Sequence, residues 1–210
     1  MNKTNNIPDF AKMAKQLIKN AARYAGGESV KFFRESFVRQ GFLNKSLTPW
    51  RKTTNPLAGK RTLYNTGTLM SSIRKTKGTT KQVVVESATN YSEIHNEGGE
   101  IIVTEKMKRF FWAKYCEISG IKKNNVGKTV WKDQTNIKKK KDGTMSQAKA
   151  NLRTNAKAEF CKAMALKPVG SKIKIDRRQF MGHSDTMMKQ FEAFFQGEIE
   201  IQFKQHLNND

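Results

Sequence analysis

The chain has 210 residues, with 40 Lys+Arg against 18 Asp+Glu and a formal charge of +22. That length suits one core with room for an insertion and leaves little for two full domains, while the charge favours polyanions or acidic protein surfaces as partners. No window approaches the ~20 apolar residues of a membrane span and the N-terminal stretch lacks an apolar signal core, so a cytosolic, non-membrane protein is expected.

Hydrophobic residues make up 37% of the chain, lean enough that part of it is expected to be solvated or ordered only by partners. The basic excess is greatest in 101–177, whereas 178–210 is slightly acidic. Cys116 and Cys161 have no Cys-x-x-Cys partner and no nearby His pair, so they read as free thiols in a reducing compartment.

In chain order, Phe10, Met13, Leu17, Ala21 and Tyr24 step by three and four after Pro8, and Gly26-Gly27 reads as the stop of a first helix. A second helix is expected from Glu28 to Gly41, burying Val30, Phe33 and Phe37. From Phe42 to Arg61 the pattern breaks into a long polar connection punctuated by Pro49, Pro56 and Gly59. Trp50 within it is read as an anchor pinning that connection to the core, in preference to a stacking platform.

Thr66 is placed to cap a short helix that carries Leu69 and Ile73 and runs to Gly78. Gln82 to Glu86 is β-branched and reads as a strand. Asn90 to Glu97 suits one helical turn, with Tyr91, Ile94 and His95 close together and His95 as an orienting hydrogen-bond residue. Gly98-Gly99 then takes positive φ and turns the chain into a strand at Glu100 to Val103.

A helix is expected from Glu105 to Ile118, and another over Thr144 to Leu166. Between them, 121–143 contains the run Lys138, Lys139, Lys140 and Lys141 and reads as a loop or mobile tip. Lys172 to Asp176 alternates charged and apolar residues, as a strand with one wet face does. Ser184 is placed to cap a last helix whose stripe Met188, Phe191, Phe195, Ile199 and Phe203 is expected to lie across the sheet.

Catalytic motifs are sparse. Gly127-Lys128-Thr129 lacks the glycine five residues earlier that a phosphate loop needs, since Lys122 stands there. His95-x-Glu97 and His183-x-Asp185 suggest no third metal ligand, and neither cysteine has a base assigned by spacing. No cofactor or metal is expected. The lysines Lys122, Lys123, Lys128, Lys132 and Lys138 to Lys141 form the one candidate binding tract, suited to salt-sensitive, sequence-independent DNA contact or to an acidic protein. Trp131 alone is interleaved with them, too little for a stacking platform.

Two blocks carry a resemblance. The first comprises Leu63, Thr66-Gly67-x-Leu69, Ser72-Ile73, Val83 to Val85, Tyr91-x-x-Ile94-His95 and Gly98-Gly99; the second is Arg178-x-Phe180-Met181-Gly182 before a C-terminal helix. In this order they resemble the phage virion morphogenesis family, the tail completion proteins typified by the Mu-type G protein. The chain departs from the family pattern at Asp176 and Gln179, where prolines are usual, and at Ser92, where Ala is common.

The resemblance implies a non-enzymatic structural protein of a tailed phage or prophage, a tail terminator or neck protein found in the virion and in the host cytoplasm during assembly. It also implies a homo-oligomer, typically a hexameric ring, that meets the tail tube and head connector. The expected fold is α+β, a single domain over 1–210 with a basic insertion at 105–166. Its three- or four-stranded, mainly antiparallel sheet is packed against the N-terminal helices and the long C-terminal one. The competing expectation is a basic nucleic-acid-binding protein without sequence preference.

Overall fold

In the computed structural model, residues 9–119, 121–123, 129–131 and 148–207 are described. The fold is α+β, with N-terminal and C-terminal helices and antiparallel strand pairs. Two compact units form, one from 1–52, 59–98 and 176–210, the other from 53–58 and 99–175.

The first unit starts with α1, Phe10–Arg39, capped by the Asp9 carboxylate, which accepts from the Lys12 N–H at 2.9 Å. Contrary to expectation, α1 passes through Gly26-Gly27 without a break. A glycine costs a helix about 1 kcal/mol relative to alanine, and tertiary burial of Phe32, Phe33 and Phe37 on the same helix outweighs that. The helix ends instead at Gln40, which adopts the left-handed conformation at φ 56°. Its side chain donates to the carbonyls of Phe37 and Thr62 and accepts from the Thr62 N–H, so hydrogen bonds offset the strain of a non-glycine cap.

The connection expected after Phe42 contains a hairpin of β1, Gly41–Leu43, and β2, Leu47–Pro49, paired Gly41 to Pro49 through Leu43 to Leu47. Trp50 is buried, as expected. Its indole N–H donates to the Gln179 carbonyl at 2.7 Å and its ring stands edge-on to Phe37.

Helix α2 covers only Thr68–Ser72, and its N-cap is Gly67, φ 79°, which has no side chain to cap with. The Thr66 hydroxyl, one residue earlier, lies 2.7 Å from the Thr68 hydroxyl and accepts the Thr68 N–H at the long distance of 3.5 Å. The helix does not reach Gly78, because β3, Ile73–Gly78, takes over and pairs with β4, Val83–Ser87, through a bulge between Lys75 and Lys77. The switch is held by Arg34 of α1, whose guanidinium donates to the carbonyls of Ser71 and Ile73, and by the Ser72 and Ser87 hydroxyls 2.7 Å apart. Leu69 and Ile73 are both buried, as expected. One short helix, α3, Ser92–Glu97, then leads to Gly98.

The second unit contains β5, Gly99–Ile102, antiparallel to β8, Lys172–Ile175, with Gly99 opposite Ile175. Between them lie α4, Glu105–Ile118, capped by the Thr104 hydroxyl, a short pair of β6, Ile121–Lys123, with β7, Thr129–Trp131, and α5, Ala148–Leu166. Helices α4 and α5 meet at Phe111 and Phe160, edge-on at 6.0 Å. Val103, Ala158, Cys161 and Ala165 are the buried hydrophobic residues of this unit among those described. Cys116 and Cys161 are free thiols, and burial pushes the Cys161 thiol up, opposed by Lys114.

Returning to the first unit, α6, Asp185–Leu207, is capped by buried Ser184, whose hydroxyl accepts from the Met187 N–H and donates to the Leu43 carbonyl. It does not lie across a sheet. It runs along α1, with Phe194 stacked on Tyr24 at 3.8 Å and Asn20 donating to Glu198 at 2.7 Å. The strands also do not join into the expected three- or four-stranded sheet: among the described residues they form four separate two-stranded ribbons. With no broad sheet face to cover, α6 buries Met187 and packs Phe191 on the aromatic core, while Met188, Phe195 and Phe203 stay exposed. Among the described residues, no helix is long and apolar enough to cross a membrane.

Candidate functional site: the junction of the two motif blocks

The first motif block divides between core and junction. Leu69 and Ile73 enter the aromatic cluster of Phe32, Phe37, Phe42, Trp50 and Phe180, and Leu63, left-handed at φ 57°, packs against it. The polar members Thr66, Gly67 and Ser72 shape the α2 ends; the Ser72 hydroxyl donates to the Leu69 carbonyl.

The other half, Tyr91 to Gly98, meets the second block directly. The Asn96 side-chain carbonyl accepts the backbone N–H groups of both Phe180 and Met181, at 2.8 and 2.9 Å. The His95 carbonyl accepts the Arg178 N–H at 2.8 Å. Gly98, at φ 75°, lies so close to Arg177 that a β-carbon there would stand 2.9 Å from the Arg177 nitrogen. His95, Asn96 and Gly98, within four positions of one another, thus meet residues 177–181, some 80 positions away.

From the second block, Phe180 is fully enclosed, tilted on Phe37 at 5.1 Å, and its carbonyl accepts from the buried Ser36 hydroxyl. Arg178 is buried too: its guanidinium donates to the carbonyls of Arg51 and Asp176 and lies 3.7 Å from the Asp176 carboxylate. Asp176 also faces Arg51 at 3.9 Å. An arginine and an aspartate thus position this segment. Met181 packs against the core, and Gly182, at φ 140°, turns the chain toward Ser184.

His95 does not act as the expected side-chain hydrogen-bond residue. Its buried Nδ1 has no partner among the described residues, and its ring only meets the edge of exposed Tyr91 at 6.1 Å. Burial, and secondarily the Arg178 charge, hold the imidazole below its ordinary pKa, favouring the neutral ring. Ile94 is half-buried. His183 and Asp185 pair at 2.9 Å in an exposed position, and that hydrogen bond is the main reason the Asp185 carboxyl is lowered. Among the described residues, no group of three His, Cys, Asp or Glu is placed to hold a metal.

Of the lysine tract, Lys122 and Lys123 lie on β6, and Lys128, Lys132 and Lys138 to Lys141 lie outside the described residues. Sequence reasoning missed Asn96, Ser36 and Gln40. Asn96 carried a usable signal: an amide side chain at the end of a helical turn, just ahead of a Gly-Gly pair, commonly bonds backbone.

No protein-family model, no curated protein and no solved structure matches the chain.

Proposed function

We propose that this protein is a structural component of a tailed-phage particle that completes the tail or joins it to the head, acting by self-assembly and not by catalysis. The observation that supports the reading is the junction itself. The two blocks that resemble the virion morphogenesis family are far apart in sequence, yet the His95 carbonyl accepts from the Arg178 N–H, and Asn96 between the motif residues His95 and Gly98 accepts from the Phe180 and Met181 N–H groups. The two stretches that carry the resemblance thus come together in one piece of structure.

The chemistry of the junction agrees with a scaffold role. Its polar groups largely engage backbone, as Asn96 and Arg178 do, which rigidifies the chain and leaves few groups free to transfer a proton or attack a substrate. In this reading copies of the chain form a ring, hexameric by resemblance, that docks between the tail tube and head connector.

Native mass spectrometry and negative-stain microscopy of the purified protein test this. Closed homo-oligomeric rings are expected, and deleting the gene from its phage or prophage is expected to leave heads and tails unjoined or tails of aberrant length. A strict monomer at every concentration, together with normal tailed particles from the deletion, would sink the proposal.

A further inference from the structure

Helix α1 carries a row of cations that the assembly reading does not use. Lys12, Lys15, Lys19 and Arg23 follow steps of three, four and four, which places them on one side of the helix, and all four are exposed. From Lys12 to Arg23 the row spans about 16 Å at the helical rise. Gly26 continues it three residues on, and there the row meets the β3–β4 ribbon: a β-carbon on Gly26 would stand 2.5 Å from Cδ of Lys75.

The ribbon adds Arg74, Lys75 and Lys77, all on exposed positions of β3, and Lys81 in the turn that follows. Both elements belong to the first unit. Among the described residues none of these eight cations is in an ion pair. Among the described residues the nearby acids are Asp9, which caps α1, Glu28, which pairs with Lys31, Glu198, which accepts from Asn20, Glu86, which stands opposite Arg74, and Glu192, which lines one hollow with Lys81.

We infer that this α1–β3–β4 face is a sequence-independent binding surface for the phosphate backbone of double-stranded DNA. A duplex presents one phosphate charge per ~1.7 Å of axis, hence about nine along the α1 row alone. Lysines act as flexible point charges, suited to backbone contact and not to reading bases. Unpaired like charges gathered on one face repel one another, and a polyanion relieves that repulsion while releasing its condensed counterions. None of its residues belongs to the run Lys138 to Lys141, and it stands whether or not the chain builds a ring.

The test is fluorescence anisotropy with a ~25-base-pair duplex of arbitrary sequence, using the full chain from ~50 to ~300 mM salt, where non-specific binding weakens steeply. One variant neutralises the face: Lys15→Gln, Lys19→Gln, Arg23→Gln, Lys77→Gln and Lys81→Gln, with Lys75 kept because its stem covers Gly26. A control variant removes the same number of exposed charges elsewhere, at Lys52, Lys60, Lys162, Lys174 and Lys189. Circular dichroism confirms folding of both.

The wild type is expected to bind, and the face variant to lose about 4 to 5 from the slope of log K against log salt, with the control losing about 1 at most. Four results would each overturn the inference: no binding by the wild type at ~50 mM salt; equal losses in both variants, which makes it a matter of total charge; a face variant that binds like the wild type; or tighter binding to heparin or to an RNA duplex than to DNA.

Discussion

Gly26-Gly27 and Gly98-Gly99 are the same dipeptide in opposite physical situations. Gly26-Gly27 sits inside α1 with helical geometry on both sides, and neither residue needs a positive φ. What Gly26 supplies is the absence of a side chain, which lets Lys75 and Val83 of the ribbon lie against the helix. Gly27 meets nothing within 4 Å. By contrast Gly98 and Gly99 have φ of 75° and 142°, which side chains rarely tolerate, and Gly98 is also pressed against Arg177. One pair is there for close approach, the other for backbone conformation, and substitution should separate them cleanly.

The largest effect is expected at Gly98. With φ 75° and ψ −176° it occupies a region essentially restricted to glycine. Gly98→Ala adds a β-carbon 2.9 Å from backbone that cannot swing away. Strain of this kind costs ~1–3 kcal/mol before any clash is counted, so a loss of about 3 kcal/mol is expected in urea unfolding. A loss below ~1 kcal/mol would mean that the junction relaxes around a side chain, and the contrast between the two pairs would collapse.

The same contrast explains which parts of the fold were legible in the sequence. Local signals were read correctly where local physics decides: the Ser184 cap, the Glu105–Ile118 helix, the alternation of Lys172–Ile175 and the burial of Leu69, Ile73 and Trp50. The α1 helix was misread because its continuity through Gly26-Gly27 rests on the tertiary burial of Phe32, Phe33 and Phe37, which a local glycine pair does not reveal. Residues 73–78 were misread as helix because Arg34, from another element, terminates α2 at Ile73. At the junction, the Gly98-Gly99 turn and Phe180 were visible. The Asn96 contacts were not, because their acceptor and donors are 84 and 85 positions apart. The stripe on α6 was correctly seen as apolar, but its partner is α1, and the face turned to α1 includes Phe194, which the stripe omitted.

An intermediate effect is expected at Gly26. Gly26→Leu keeps, and even improves, the helical preference, so any loss reports the packed ribbon and not the backbone. Lys75 can swing its stem aside, but Val83 Cγ1, 3.4 Å from the new β-carbon, must also yield. Overpacking of this kind costs ~1–3 kcal/mol, and hydrogen exchange is expected to rise in β3 and β4 while α1 stays protected. Unchanged ribbon protection would show that the close approach at Gly26 carries no weight.

The smallest effect, with the opposite sign, is expected at Gly27. Here helical φ and ψ suit any residue, and open space surrounds the added methyl. Gly27→Ala lowers the conformational entropy of the unfolded chain and gains helix propensity, so stability should rise by ~0.5–1 kcal/mol. The urea midpoint should move up at constant m-value, since neither state changes its exposed surface appreciably. Destabilisation instead would imply that α1 uses Gly27 as a flexible point, which a continuous helix from Phe10 to Arg39 does not require. Because Gly26 and Gly27 are adjacent, the double variant adds a check: a gain at Gly27 that persists beside Gly26→Leu assigns the two effects to backbone and packing separately.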